Sequence, residues 1–303
     1  MIFPSVRLSR RSQQVISAWV FILPGLLLYV IFLIYPIIKA LQMSFYEWSV
    51  MPGDPNEFIG LVNYSRALRD PIVAVSMRNT VLYTIITVPG QMILAFFFAF
   101  LVDKVARGKI FFRTLYYIPV ITSWVVVSIL FRYFFQSPKG LINHILLDIL
   151  HVIQQPIAWF REPATAFIPI LVLGIWKGIG WSMVIFLAAL QTIPKEFYDA
   201  AAIDGATAWR KLISITLPLI RPTLVFTLVM LMIGGFNVFI SVVLITNGGP
   251  AQSTEVILSY MYHQAFDYID FGYGAALAFI VAIIIVTVSY LQIRFLRRPE
   301  EIS

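Results

Sequence analysis

Apolar residues in this chain are gathered into six long runs, and the charged ones fall almost wholly in the gaps between them. The runs cover roughly residues 18–38, 79–102, 111–135, 165–190, 222–246 and 273–293. Each reaches the ~20 residues that a helix needs to cross the hydrocarbon core of a bilayer. Helices are expected rather than strands, because an open strand edge leaves backbone N–H and C=O groups without partners in lipid. None of the fifteen carboxylates lies inside a run, and His144, His151 and His263 also lie outside. Arg113 and Arg132 sit near the ends of the third run, where a long side chain can reach the interface. Lys177 is the one basic residue near the middle of a run. Pro24 and Pro36 are expected to kink or end the first helix. The expected fold class is therefore all-α: a polytopic membrane helix bundle of six transmembrane helices, with residues 1–303 forming a single transmembrane domain.

Composition supports the same solvent. Hydrophobic residues make up 60% of the chain and charged ones only 12%, about half the charged share of a soluble domain. The absence of cysteine excludes disulfides, thiolate chemistry and cysteine-ligated metal centres. The formal charge of +7 is unevenly spread. Both terminal segments and the gaps after the second and fourth runs together hold fourteen basic residues against six acidic ones, and the remainder holds eight against nine. By the excess of Lys and Arg on the cytoplasmic side, both termini and residues 191–221 are expected in the cytoplasm. The charge is thus a topology signal, and the lipid bilayer, not nucleic acid, is the expected environment. Arg7, Arg10 and Arg11 precede an apolar run too long for a secretory signal and without a small-x-small cleavage pattern, so a retained first span is expected.

Three gaps then face outward. In the first, Pro52-Gly53 and Asp54-Pro55 are turn signals. The second contains GLINHILLDILHVI, which predicts a short helix with Ile142, Ile145, Leu146, Ile149 and Leu150 on one face, lying in the interface or against other helices. The third opens on the tight reversal Asn247-Gly248-Gly249-Pro250.

The cytoplasmic gap QTIPKEFYDAAAIDGATAWRKLISITLPLIRP predicts a helix–turn–helix outside the membrane. Pro194 suits a first turn, and Glu196 and Asp199 lie early, where the helix dipole favours negative charge. Ala200, Ala201 and Ala202 present a small-residue face, and Gly205 can reverse the chain. A second amphipathic helix with Trp209, Leu212, Ile213 and Ile215 apolar is expected to run to Pro218. Such a hairpin suits docking into a groove on a partner protein.

The spacing Asp199-Ala200-Ala201, three residues, Gly205, nine residues, Ile215-Thr216-Leu217-Pro218 resembles the EAA motif of ABC-importer permeases, E-A-A-x3-G-x9-I-x-L-P. The forms IPKEFYDAAAIDGA, FIGLVNYSRAL, NGGPAQST and FGYGAALA are similar to the sugar-importer branch. Asp199 stands where the family usually has Glu. The resemblance implies the type I ABC-importer permease architecture in a bacterial or archaeal plasma membrane. It also implies a second homologous permease subunit, an ABC ATPase dimer and an extracytoplasmic solute-binding protein. The coupling hairpin, with Glu196, Asp199, Ala200, Ala201, Gly205 and Pro218, would sit in a cleft on the ATPase. No G-x-x-x-x-G-K-[ST] phosphate loop is present in the chain. ATP and Mg are therefore expected on the partner ATPase, with no cofactor bound by this chain.

For a carbohydrate path, polar and aromatic residues within the runs are the candidates. They are Gln91, Trp176, Lys177, Trp181, and the pair Asn237 and Ser241, which one continuous helix would place a turn apart on one side. An ion-coupled transporter commonly carries acidic or histidine side chains within its spans, and a membrane enzyme needs an acid–base or metal constellation; the runs contain neither. A channel would leave the cytoplasmic hairpin unexplained.

Overall fold

The computed structural model describes residues 9–49, 55–105 and 108–296. The turn signals at Pro52-Gly53 and Asp54, and the topology charges Arg7, Arg107, Arg297, Arg298, Glu300 and Glu301, lie outside these residues. Helix dominates. Among the described residues the one strand pair is two residues long on each side, Tyr46–Glu47 against Glu57–Phe58. Four uninterrupted helices are long and apolar enough to cross a membrane: Gln14–Met43, Pro71–Lys104, Pro163–Gln191 and Phe271–Leu296. They are spans one, two, four and six below.

The other two expected spans are interrupted, and with each bent pair counted as one span the described residues hold six. Span three is Lys109–Ile121 followed by Trp124–Phe134, bent by 91°. The break has a local cause. Pro119 cannot donate a backbone hydrogen bond and its ring crowds the preceding turn. Ser123 then caps the new helix, its hydroxyl accepting from the Val125 N–H at 3.3 Å. Span five, Arg221–Phe236, is 16 residues long, about 24 Å at helical rise. It stops at Asn237, and the chain resumes helix at Ile240–Ile245. Gly234-Gly235 weakens the end of that helix, and Phe239 departs from helical geometry with φ −149° and ψ −65°.

Spans two and four form the centre of the bundle. Gly174 and Gly178 lie one turn apart on span four, and a Cβ at either would collide with Tyr83 or Gln91 of span two. The small-residue notch is thus filled by two large side chains, one of which, Gln91, donates to the Gly174 carbonyl at 3.1 Å. Thr80, Thr84 and Thr87 run along span two, each hydroxyl bonded at 2.8 Å to the carbonyl four residues back, so no polar group is stranded.

The segment GLINHILLDILHVI is helical only over Leu141–His144 and one π-turn, Ile145–Ile149. Ile142 and Leu146 pack on the core, but Ile149 and Leu150 are exposed. The anchor is polar. Asn143 is buried, donates to Ile157 C=O at 3.0 Å and accepts from Ile157 N–H and the Trp159 indole at 3.1 and 3.0 Å. At the same end of the bundle, Asp70 caps span two through Ile72 N–H and also accepts from the Tyr260 and Tyr273 hydroxyls at 2.7 Å each. Burial raises the Asp70 carboxyl, but these hydrogen bonds outweigh it and leave the group below its ordinary range.

Candidate functional site

Two features stand out, at different depths of the bundle. The first is a cavity of about 510 Å³ enclosed by spans two and four, the end of span five and the break in span three. Gln91, Lys177, Trp181, Asn237 and Ser241 all line it. Trp176 does not. It lies on the other side of span four, 43% exposed, with its ring 5.7 Å from that of Phe131. Asn237 and Ser241 share the cavity, but not by helical periodicity, because the chain breaks between them. The Asn237 side chain turns back to donate to the Ile233 carbonyl at 2.8 Å, which leaves its side-chain oxygen open.

Lys177 has an occupation that sequence reasoning missed. Only 3% exposed, it donates to the carbonyls of Pro119 and Thr122, both at 2.6 Å. Its ammonium also stands 4.9 Å from the centre of the Trp124 ring. These are the carbonyls that the break in span three leaves without intrahelical partners. The lysine therefore pins a broken helix to an unbroken one. Among the described residues it has no carboxylate partner. The signal available beforehand was Pro119, whose break creates the acceptors.

The second feature is the hairpin after span four. Its first helix, Lys195–Ile203, follows Pro194 as the capping residue and has Glu196 in its first turn. Gly205 ends it with φ +70°, a left-handed conformation that a side chain strains. Ala206 N–H then closes the turn on the Ala201 carbonyl at 2.9 Å. The second helix runs over Ala208–Leu219 with a π-turn at Leu212–Thr216, and a 69° bend separates it from span five. Asp199, Ala200 and Pro218 are exposed and Ala201 is half-buried.

The base of the hairpin is fixed and its tip is bare. Ile193 and Ile220 are buried in the core formed by Ala95, Ala99 and Leu187, and the Tyr198 hydroxyl meets that of Thr216 at 2.9 Å. At the tip, Ile203 is 88% exposed and Trp209 69%. Both are large apolar side chains left outside the packed base of the hairpin.

Residues 80–300 match the family described as binding-protein-dependent transport system inner membrane component. The chain belongs to this family. It is a transport permease rather than an enzyme, and an inner-membrane protein of the binding-protein-dependent class. The lactose transport system permease protein LacF of Rhizobium radiobacter is 32% identical over 290 residues, which cover 94% of this chain and 96% of LacF. The arabinooligosaccharides transport system permease protein AraP of Bacillus subtilis is 35% identical over 284 residues, covering 92% and 88%. A chain of a bacterial alginate ABC transporter, solved in complex with an alginate pentasaccharide-bound periplasmic protein, shares the fold. Its TM-score is 0.82 over 96% of this chain and 98% of that one, at 22% identity.

Proposed function

We propose that this permease is one of two membrane subunits of an ATP-driven carbohydrate importer, and that the cavity is part of the sugar path. The observation that carries the reading is the hairpin at 194–220, which bears the EAA-type pattern on an anchored base with bare apolar residues at its tip. The names of the curated relatives support a carbohydrate cargo.

In this reading both termini and the hairpin face the cytoplasm, where the hairpin seats on an ABC ATPase. ATP and Mg belong to that partner. A solute-binding protein delivers sugar at the opposite end of the bundle, and a second, homologous permease completes the path. Movement of the ATPase reaches the cavity by a short mechanical route. The hairpin feeds through its 69° bend directly into span five, whose far end is the break at Asn237 on the cavity wall. Aromatic faces at Trp124 and Trp181 and open polar atoms such as the Asn237 oxygen offer the mixed surface that a sugar needs.

Purification in mild detergent followed by reconstitution tests this. The expected result is co-purification of an ATPase and a second permease, with sugar uptake into proteoliposomes that requires ATP and the binding protein. Uptake that persists without the ATPase would refute the proposal.

A further inference from the structure

Between spans five and six the chain forms a short helix, Ile257–Tyr262, continued by a π-turn, His263–Asp267. Its two faces differ. Ser259, Tyr260 and Gln264 are buried against the bundle. Tyr262 and Phe266 lie four residues apart on the other face, and Leu258, four residues earlier, packs partly on the core. Leu258 lines the cavity, Tyr262 is 37% exposed and Phe266 62%. The stripe thus runs from the cavity wall to the surface at the end of the bundle away from the hairpin.

The cavity's own lining joins this stripe. Phe239, in the break after span five, has its ring 5.2 Å from that of Tyr262. The Tyr262 ring lies 5.0 Å from that of Phe266, so three aromatic rings follow one another without a gap. The Tyr262 hydroxyl has no hydrogen-bond partner among the described residues. Aromatic rings present a negative face that attracts the polarised C–H edge of a sugar ring, and a phenol tip can bond its hydroxyls.

We propose that Phe239, Tyr262 and Phe266 form a carbohydrate-stacking platform that leads a sugar from the mouth of the cavity to its interior. The proposal rests on the carbohydrate-import reading above. A run of separate tilted rings binds weakly at each step, which suits a cargo that must move on.

The test uses the whole importer in nanodiscs with the photo-reactive residue p-benzoylphenylalanine in place of Tyr262. Under illumination with radiolabelled lactose or arabinotriose, a sugar adduct at position 262 is expected. An adduct to the second permease, the binding protein or lipid, or no adduct, would overturn the platform.

In parallel, Tyr262→Ala with Phe266→Ala is compared with the wild type at saturating sugar-loaded binding protein. Uptake is expected to fall about tenfold, the loss of one to two aromatic contacts, while stimulated ATP hydrolysis is unchanged. Tyr262→Trp with native Phe266 should retain uptake. Equal loss of uptake and hydrolysis would assign these residues to assembly instead. A wild-type complex that couples ATP hydrolysis to neither sugar nor any other saccharide would sink the import reading first, and the platform with it.

Discussion

Replacing Lys177 by Met is expected to loosen the break in span three rather than to remove a substrate contact. Two hydrogen bonds from an ammonium to the Pro119 and Thr122 carbonyls disappear. Bonds to a charged group contribute roughly 1.5–3 kcal/mol each. Against this gross loss of about 3–6 kcal/mol stands the cost of holding an ammonium at that depth, about 2.5–3.5 kcal/mol, which methionine avoids. The midpoints of the two ranges leave about 1.5 kcal/mol of destabilisation, roughly tenfold in a local opening equilibrium. The chain has no cysteine, so a single Val120→Cys on the cavity wall reports that opening by its rate of maleimide labelling. Lys177→Met should speed labelling by at least fivefold and lower the thermal midpoint of the purified complex. Lys177→Arg, which keeps the donors, should recover part of both. Unchanged labelling and midpoint together with abolished uptake would refute the pin and make Lys177 a direct ligand for cargo.

Three further outcomes are expected. Gly205→Val should uncouple the ATPase, because a β-branched residue at φ +70° is strained by roughly 1–2 kcal/mol; Gly205→Asn should retain coupling, and co-purification of the ATPase with each variant reads the difference. Asn143→Ala should lower stability by about 2–4 kcal/mol, since three hydrogen bonds to Ile157 and Trp159 are lost in a buried site; an unfolding midpoint equal to that of the native complex would contradict it. Burial raises the Glu255 carboxyl above its ordinary range, although Ser259 and His263 pull the other way, so the native state binds the extra proton. Stability is then present below the unfolded value of about 4.3 and is lost as pH rises from there through the folded value. Glu255→Gln should therefore raise the thermal midpoint at pH 7 and flatten its fall with pH, and an unchanged profile would show that the carboxyl does not titrate there.

The legible parts of this fold were those set by long-range averages. Runs of twenty apolar residues report the solvent, and the absence of carboxylates from them limits the chemistry, whatever the packing. The hairpin was legible for another reason: Gly205 at a reversal and Pro218 near a helix end act on the backbone locally. What the pattern concealed was the interior of spans three and five, because a broken and an unbroken helix bury the same apolar residues. Lys177 therefore read as a lone charge seeking a ligand, when its acceptors were 55 and 58 residues away in sequence. Trp176 and Trp181 were equivalent as letters, and only packing against Phe131 separates the one from the cavity. Tyr262 and Phe266 passed unnoticed because their short helix lies outside the runs.

The two breaks belong to one argument. Irregular backbone is tolerated at membrane depth only where protein covers it or where it lines a water-filled space. Both interruptions, at Thr122–Ser123 and at Asn237–Phe239, border the same cavity. The first is satisfied from within, because Lys177 takes the carbonyls of Pro119 and Thr122; at the second, the Asn237 side chain adds a bond to the Ile233 carbonyl, which already accepts from the Asn237 N–H. If the cavity were a packing void, continuous helices would serve better, since each break removes backbone hydrogen bonds. Two adjacent breaks, one of them held by a buried lysine, are the arrangement expected where a wet space must be kept open inside a bundle. Span five begins at the bend after the hairpin and ends at the second break, which makes that break the joint between the hairpin's side of the bundle and the cavity wall. A disulfide between cysteines placed at Phe236 and Ile240 would fix that joint; uptake should stop while the ATPase stays bound, and full uptake in the oxidised state would show that the joint does not move.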